Sequence, residues 1–283
     1  MATFFNQATL SYNGNTITSN ITTGEIVEVL SAEKTAISPT YEQGGDVTYA
    51  ISIVNAGTTP YTNLTVTDNL GEYEFGTGSV VPLTYRIGSV RYFVNGTLQT
   101  APTVTDESPL TITGINVPAG GNAIILYEAE ANGFAPPVAD GAITNEAVIS
   151  GSGLANEITV TETVTTVDAP ILSITKSLSP TVVNENGQIT YTLTILNNGN
   201  TPIVATDDVV VADTFDPILS DITVTLNGVT LGAGDYSYDE TTGEFATTAS
   251  VVTVPAATYT QDPATGEWTV TPGTAVITIT GTI

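Results

Sequence analysis

The chain has no cysteine and no histidine, and only four basic residues stand against 29 acidic ones in its 283. These absences exclude disulfides, thiolate or imidazole zinc sites, cysteine nucleophiles and every histidine-based triad. With a formal net charge of -25 there is nothing basic to neutralise phosphate, so nucleic acid and anionic membranes are excluded as partners. No apolar run approaches bilayer length, which argues against membrane insertion, and "MATFFNQATLSYN" shows no basic leader region. Neither a nucleotide-binding loop nor a pair of carboxylates set in a cleft is visible, so the expectation is a protein that is not an enzyme and needs no cofactor. Oxygen-built cation sites are the remaining option for a metal. "DYSYDETTGE" (235–244) lacks the spacing of a calcium loop and reads as an acidic hairpin turn, so no metal is expected.

What the chain does have is period-2 alternation. Runs such as "DVTYAISIVNAGTTP", "QITYTLTILNNGNTP" and "AVITITGTI" are rich in Val, Ile, Thr and Tyr and are punctuated by Gly, Pro and Asn. That pattern predicts an all-β protein of antiparallel sandwiches resembling immunoglobulin domains. Residues 31–60 line up with 173–202, and "VTDNL" lines up with "VADTF" further on, so there are two tandem repeats. The expected division is a tail and connector at 1–29, a first sandwich at 30–168 and a second at 169–283.

The first repeat closes with "ITNEAVISGSG" and a following strand, "ITVTETVTTV"; the second stops at "AVITITGTI". The piece it lacks resembles the amino terminus, "FFNQATLSYNG" followed by "ITSNITTGEIVEVL". A sandwich short of a strand exposes an unpaired edge, which strand addition from a neighbour would fill. The tail, with Phe4, Ala8, Leu10 and Tyr12 on one face, is therefore expected to act as a donor strand for an identical subunit. Because donor and acceptor lie at opposite ends, the contact runs head-to-tail and propagates. A tail that folds back into its own second domain satisfies the same pattern.

The only two lysines, Lys34 and Lys176, occupy the same place in the two repeats. Alternation puts Lys176 on the face of Leu172, Ile174 and Leu178, and Lys34 on that of Leu30, Ala32 and Ala36, aiming both at the interior. By the same rule Asp68 and Asn145 point inward in the first repeat and Asp213 in the second, with Asn6 supplied by the tail. A buried Lys, Asn and carboxylic acid are the parts of a self-formed isopeptide bond. Apolar burial favours a neutral amine and a protonated acid; the acid shuttles protons while the amine displaces ammonia. On this reading Asp68 assists an intramolecular Lys34–Asn145 bond and Asp213 an intermolecular Lys176–Asn6 bond. A buried Lys–Asp ion pair with Asn as a hydrogen-bonding filler, or an Asn capping a strand end, satisfies the same alternation. Glu128 and Glu130 are rival acids in the first repeat.

These residues also carry a resemblance. Lys34, Pro39, Tyr49, Asn55, Gly57, Pro60, Asp68, Asn145 and Ala147 form one copy of a pattern. Lys176, Pro180, Tyr191, Asn197, Gly199, Pro202 and Asp213, with Asn6 and Ala8 displaced to the amino terminus, form the other. The pattern resembles the bacterial surface repeat catalogued as domain of unknown function eleven, and the cross-link resembles that of Gram-positive pilin and adhesin domains. The resemblance implies a structural, extracytoplasmic role: a spore or cell-surface appendage filament, or a cell-wall protein. The alternative from another class is an adhesin that binds glycan or protein through loops at the sandwich ends.

Overall fold

The computed structural model describes residues 2–283, and apart from one 3-10 turn at Ala205–Asp207 its regular elements are all strands. No helix among the described residues is long and apolar enough to cross a membrane. The chain forms two compact units: the segment up to Pro136 with Gly141–Thr166, and Pro137–Asp140 with Val167–Ile283.

The tail contributes β1 (Ala2–Asn6), β2 (Thr9–Tyr12), β3 (Asn15–Thr18) and β4 (Thr22–Ile26) to the first unit. Its sandwich is built on β5 (Leu30–Ala36), β6 (Thr40–Tyr41), β7 (Asp46–Asn55), β8 (Tyr61–Asp68) and β9 (Arg91–Val94). These are followed by β10 (Thr103–Glu107), β11 (Leu110–Val117), β12 (Asn122–Ala131), β13 (Ala142–Ser150) and β14 (Ile158–Thr166). One sheet runs β9-β12-β7-β5, the other β10-β11-β8-β13-β14-β6. Alternation explains the core: Val47, Tyr49, Ile51 and Ile53 of β7 are fully buried, while Thr48, Ala50 and Ser52 between them are not.

The second unit holds β15 (Leu172–Ser179), β16 (Gln188–Asn197), β17 (Ala212–Thr214), β18 (Ser220–Leu226), β19 (Tyr236–Tyr238), β20 (Glu244–Thr247) and β21 (Gly273–Thr282). Its larger sheet, β15-β16-β21-β18, repeats β5-β7-β12-β9 strand for strand. The facing sheet is only β17-β20-β19, and no counterpart of the β13–β14 pair is present among the described residues. Both repeats keep the same turn after the long strand. Asn55 Nδ2 donates to the Thr59 carbonyl at 2.8 Å and its Oδ1 accepts from the Gly57 N–H at 2.9 Å. Asn197 makes the same pair of bonds with Thr201 and Gly199, also at 2.8 and 2.9 Å.

The tail is not one long strand. β1 pairs antiparallel with β4, from Ala2–Ile26 to Asn6–Thr22, and β2 pairs with β3, from Thr9–Thr18 to Tyr12–Asn15. The two ladders lie along one ribbon, joined where Ala8 and Ser19 exchange hydrogen bonds, the Ala8 N–H to Ser19 Oγ and the Ser19 N–H to the Ala8 carbonyl. Its tip is Asn13-Gly14, both at positive φ (48° and 78°), the pair a tight two-residue hairpin turn requires. The donor strand expected from the sequence is thus one arm of a hairpin.

Candidate functional site

In the first unit three strands from two sheets converge on one buried carboxylate. Lys34 reaches it from β5, the edge of one sheet; Asp68 ends β8 in the other sheet, and Asn145 lies on its neighbour β13. Asp68 stands directly opposite Ala147, which sets Asn145 one inward position further along β13. All three side chains are buried, Asp68 and Asn145 completely.

Lys34 Nζ donates to Asp68 Oδ2 at 2.6 Å and stands 4.9 Å from the centre of the Tyr49 ring. The Leu70 N–H donates to Asp68 Oδ1 at 2.9 Å. A fourth residue completes the set. The Tyr127 hydroxyl donates to Asp68 Oδ2 at 2.5 Å and accepts from Asn145 Nδ2 at 3.0 Å, while the Gly71 N–H donates to Asn145 Oδ1 at 3.2 Å. Gly71 is required by space and by conformation: at φ 74° an added Cβ would sit 2.4 Å from Ile143 Cγ2.

Burial pushes the Lys34 amine below its ordinary value, against the attraction of Asp68. It pushes the Tyr127 phenol well above its own, so the hydroxyl keeps its proton. The arrangement is therefore an amine biased toward its neutral form, a carboxyl at hydrogen-bonding distance from it, and a carboxamide held by both its nitrogen and its oxygen. Tyr127 was not among the residues picked from the sequence. Its signal was its inward position on β12 between Ile125 and Ala129, which looks like ordinary core. Glu128 and Glu130, the rival acids, fall on the other face of that strand, where Glu130 pairs with Arg86 at 3.0 Å.

The second unit brings Lys176 and Asp213 together as well, with Nζ 2.5 Å from Oδ2. The ammonium lies 4.5 Å from the Tyr191 ring centre and 5.2 Å from that of Phe215. This pair is open, however: its side chains are 39% and 17% exposed, against 0% for both members of the first. Every residue of β15 is exposed, including Leu172, Ile174 and Leu178, so Lys176, though turned toward the buried Tyr191 and Phe215 rings, is not itself buried as expected. The cause is the shorter facing sheet. In the first unit Asp68 has β11 on one side and β13 on the other; β17 has only β20. Asn6 is exposed on β1 opposite Thr22, and the tail's Phe4 (52%), Leu10 (64%), Tyr12 (72%) and Ile17 (64%) are also in solvent. Ala8, exposed too, sits at the joint of the ribbon.

No protein-family model matches the chain, and no curated protein sequence matches it. Among solved structures it is similar to the major pilin subunit of Bacillus cereus (12% identity, 75% of this chain and 69% of that one, TM-score 0.37). It is also similar to the pilus backbone protein of Streptococcus pneumoniae (14%, 86% and 56%, TM-score 0.34). A third is the collagen-binding domain of a Staphylococcus aureus adhesin (13%, 50% and 99%, TM-score 0.31).

Proposed function

We propose that this protein is a structural subunit of a bacterial surface or spore appendage filament, in which the amino-terminal ribbon of one copy completes the second sandwich of the next. The observation that carries the reading is a mismatch within one chain. Among the described residues the second unit has no β13–β14 pair over its lysine, while the tail holds a hairpin of matching sequence with its apolar side chains in water. An isolated two-stranded hairpin is marginal on its own, so the ribbon needs a sheet to join. Burying Phe4, Leu10, Tyr12 and Ile17 contributes about 1.5–3 kcal/mol each. Association costs about 4–15 kcal/mol, so burial alone gives a weak joint. Backbone pairing along the open edge of β17 strengthens it, and a covalent bond between Lys176 and the incoming Asn6, assisted by Asp213, makes it permanent. The corresponding bond inside the first unit joins Lys34 to Asn145 with Asp68 as the acid. The chemistry is directed at the protein itself, with identical subunits as its partners.

Mixing two purified populations, one uniformly labelled with heavy nitrogen, tests the joint. Material that resists boiling in detergent should yield a cross-linked peptide containing Lys176 and Asn6 with one heavy and one light half. Removing residues 2–26 should abolish both the ladder and the filaments. Finding this peptide only with matched halves, in a protein that stays monomeric, overturns the filament reading and makes the tail an internal strap.

A further inference from the structure

We infer that Tyr127 is a catalytic residue of the Lys34–Asn145 bond, the carrier that delivers a proton to the departing amide nitrogen. The inference rests on the covalent reading above and adds a role that reading leaves unfilled. Displacing ammonia from a carboxamide requires a proton on the leaving nitrogen, since an amide anion is far too basic to depart. Asp68 bonds Lys34, Leu70 and Tyr127 and makes no hydrogen bond to the Asn145 amide. The hydroxyl of Tyr127 spans that gap: among the described residues it is the group bonded both to Asp68 Oδ2 and to Asn145 Nδ2.

The step balances without any outside reactant. Within the 2.6 Å ion pair Lys34 passes a proton to Asp68, leaving a neutral amine and a carboxylic acid. Nζ attacks Asn145 Cγ, and the carbonyl electron pair moves onto Oδ1, which the Gly71 N–H stabilises. Asp68 protonates the Tyr127 oxygen as the phenol gives its own proton to Nδ2, now tetrahedral and carrying a free lone pair. The Cγ–Nδ2 bond breaks, the Oδ1 pair re-forms the carbonyl, and ammonia leaves. The surplus proton on Nζ returns to Asp68. One C–N bond forms, one breaks, and both Tyr127 and Asp68 end as they stood before the attack.

The second unit differs at this position, so the relay is confined to the Lys34–Asn145 bond. Tyr49 stands opposite Tyr127 on the neighbouring strand, and Tyr191, its counterpart, stands opposite Ile279. A phenol is thus replaced by a side chain with no transferable proton. The alignment of "VTDNL" with "VADTF" puts Asp216 where the first unit has Gly71.

The test is Tyr127→Phe in the full chain. It keeps the ring that stacks on Tyr49 at 5.5 Å and removes only the hydroxyl. Intact mass and peptide mapping, followed from the end of a short cell-free synthesis, should show wild type losing one ammonia at Lys34–Asn145. The variant should lose it at least about 100-fold more slowly, the usual scale of a positioned proton donor. Replacing Tyr127 by a ring-fluorinated tyrosine, a stronger acid of nearly the same shape, separates proton transfer from spacing: the relay requires the rate to change. Equal rates for wild type and Tyr127→Phe, or a rate indifferent to fluorination, overturn the relay while leaving the bond in place. A wild-type chain that never loses ammonia there overturns the covalent reading itself.

Discussion

The two lysine–aspartate pairs are near copies in sequence and opposites in environment. Lys34 and Asp68 meet at 2.6 Å with no solvent exposure; Lys176 and Asp213 meet at 2.5 Å with the lysine side chain 39% exposed. The strands that carry them correspond, and the aromatic ring beneath each ammonium corresponds. The difference lies in the two strands that cover one pair and are missing over the other. Contact distance alone therefore says little about what an ion pair contributes; its cover decides.

The largest expected contrast uses one substitution twice. Asp68→Ala leaves Lys34 buried without its partner and, on the proposed reading, without its bond to Asn145, and should cost at least about 3–5 kcal/mol. Asp213→Ala removes a partly solvated partner and should cost no more than about 1 kcal/mol in unassembled protein. Denaturant unfolding of each unit's transition checks this; equal losses would mean that cover does not separate the two sites. A smaller effect serves as the control. Asn55→Ala and Asn197→Ala each strand buried backbone partners in matching turns, so both should cost about 1–3 kcal/mol, alike in the two units. Unequal losses there would show that the repeats differ throughout rather than only at the missing pair.

Much of this was legible in advance, and the failures have physical reasons. Alternation assigns a residue to a face, and it placed Lys34, Asp68 and Asn145 on inward faces of three strands. It does not reveal whether anything lies over that face, which is why Lys176 was expected to be buried. Matching the tail to the end of the first repeat is what gave the expectation, carried into the proposal above, that it acts as a surrogate strand. Its Asn13-Gly14 tip, flanked by alternating residues, carried the hairpin signal that makes the tail two-stranded. Tyr127 was passed over because an inward tyrosine on a central strand is usually core. Its hydrogen bonds to Asp68 and Asn145 span 59 and 18 residues of sequence, and nothing local announces them.

The placement of the two proposed links has a mechanical consequence. In a fully linked filament under tension, force enters a subunit at Asn6, follows the backbone to Lys34, crosses directly to Asn145, and runs on to Lys176 and the next copy. Residues 35–144 form a closed side loop and residues 177–283 hang beyond the exit, so neither stretch is pulled. Most of both hydrophobic cores thus lies off the line of force; only the tethers 6–34 and 145–176, which carry Leu30, Ala147, Ile149 and Val164 of the first core, can pay out. Single-molecule pulling of linked wild type should show extension limited to those tethers, at most about 3.3–3.6 Å per residue. Lys34→Ala should add the whole 35–144 loop to the release, and equal extensions for the two proteins would mean that the sandwiches carry the load after all.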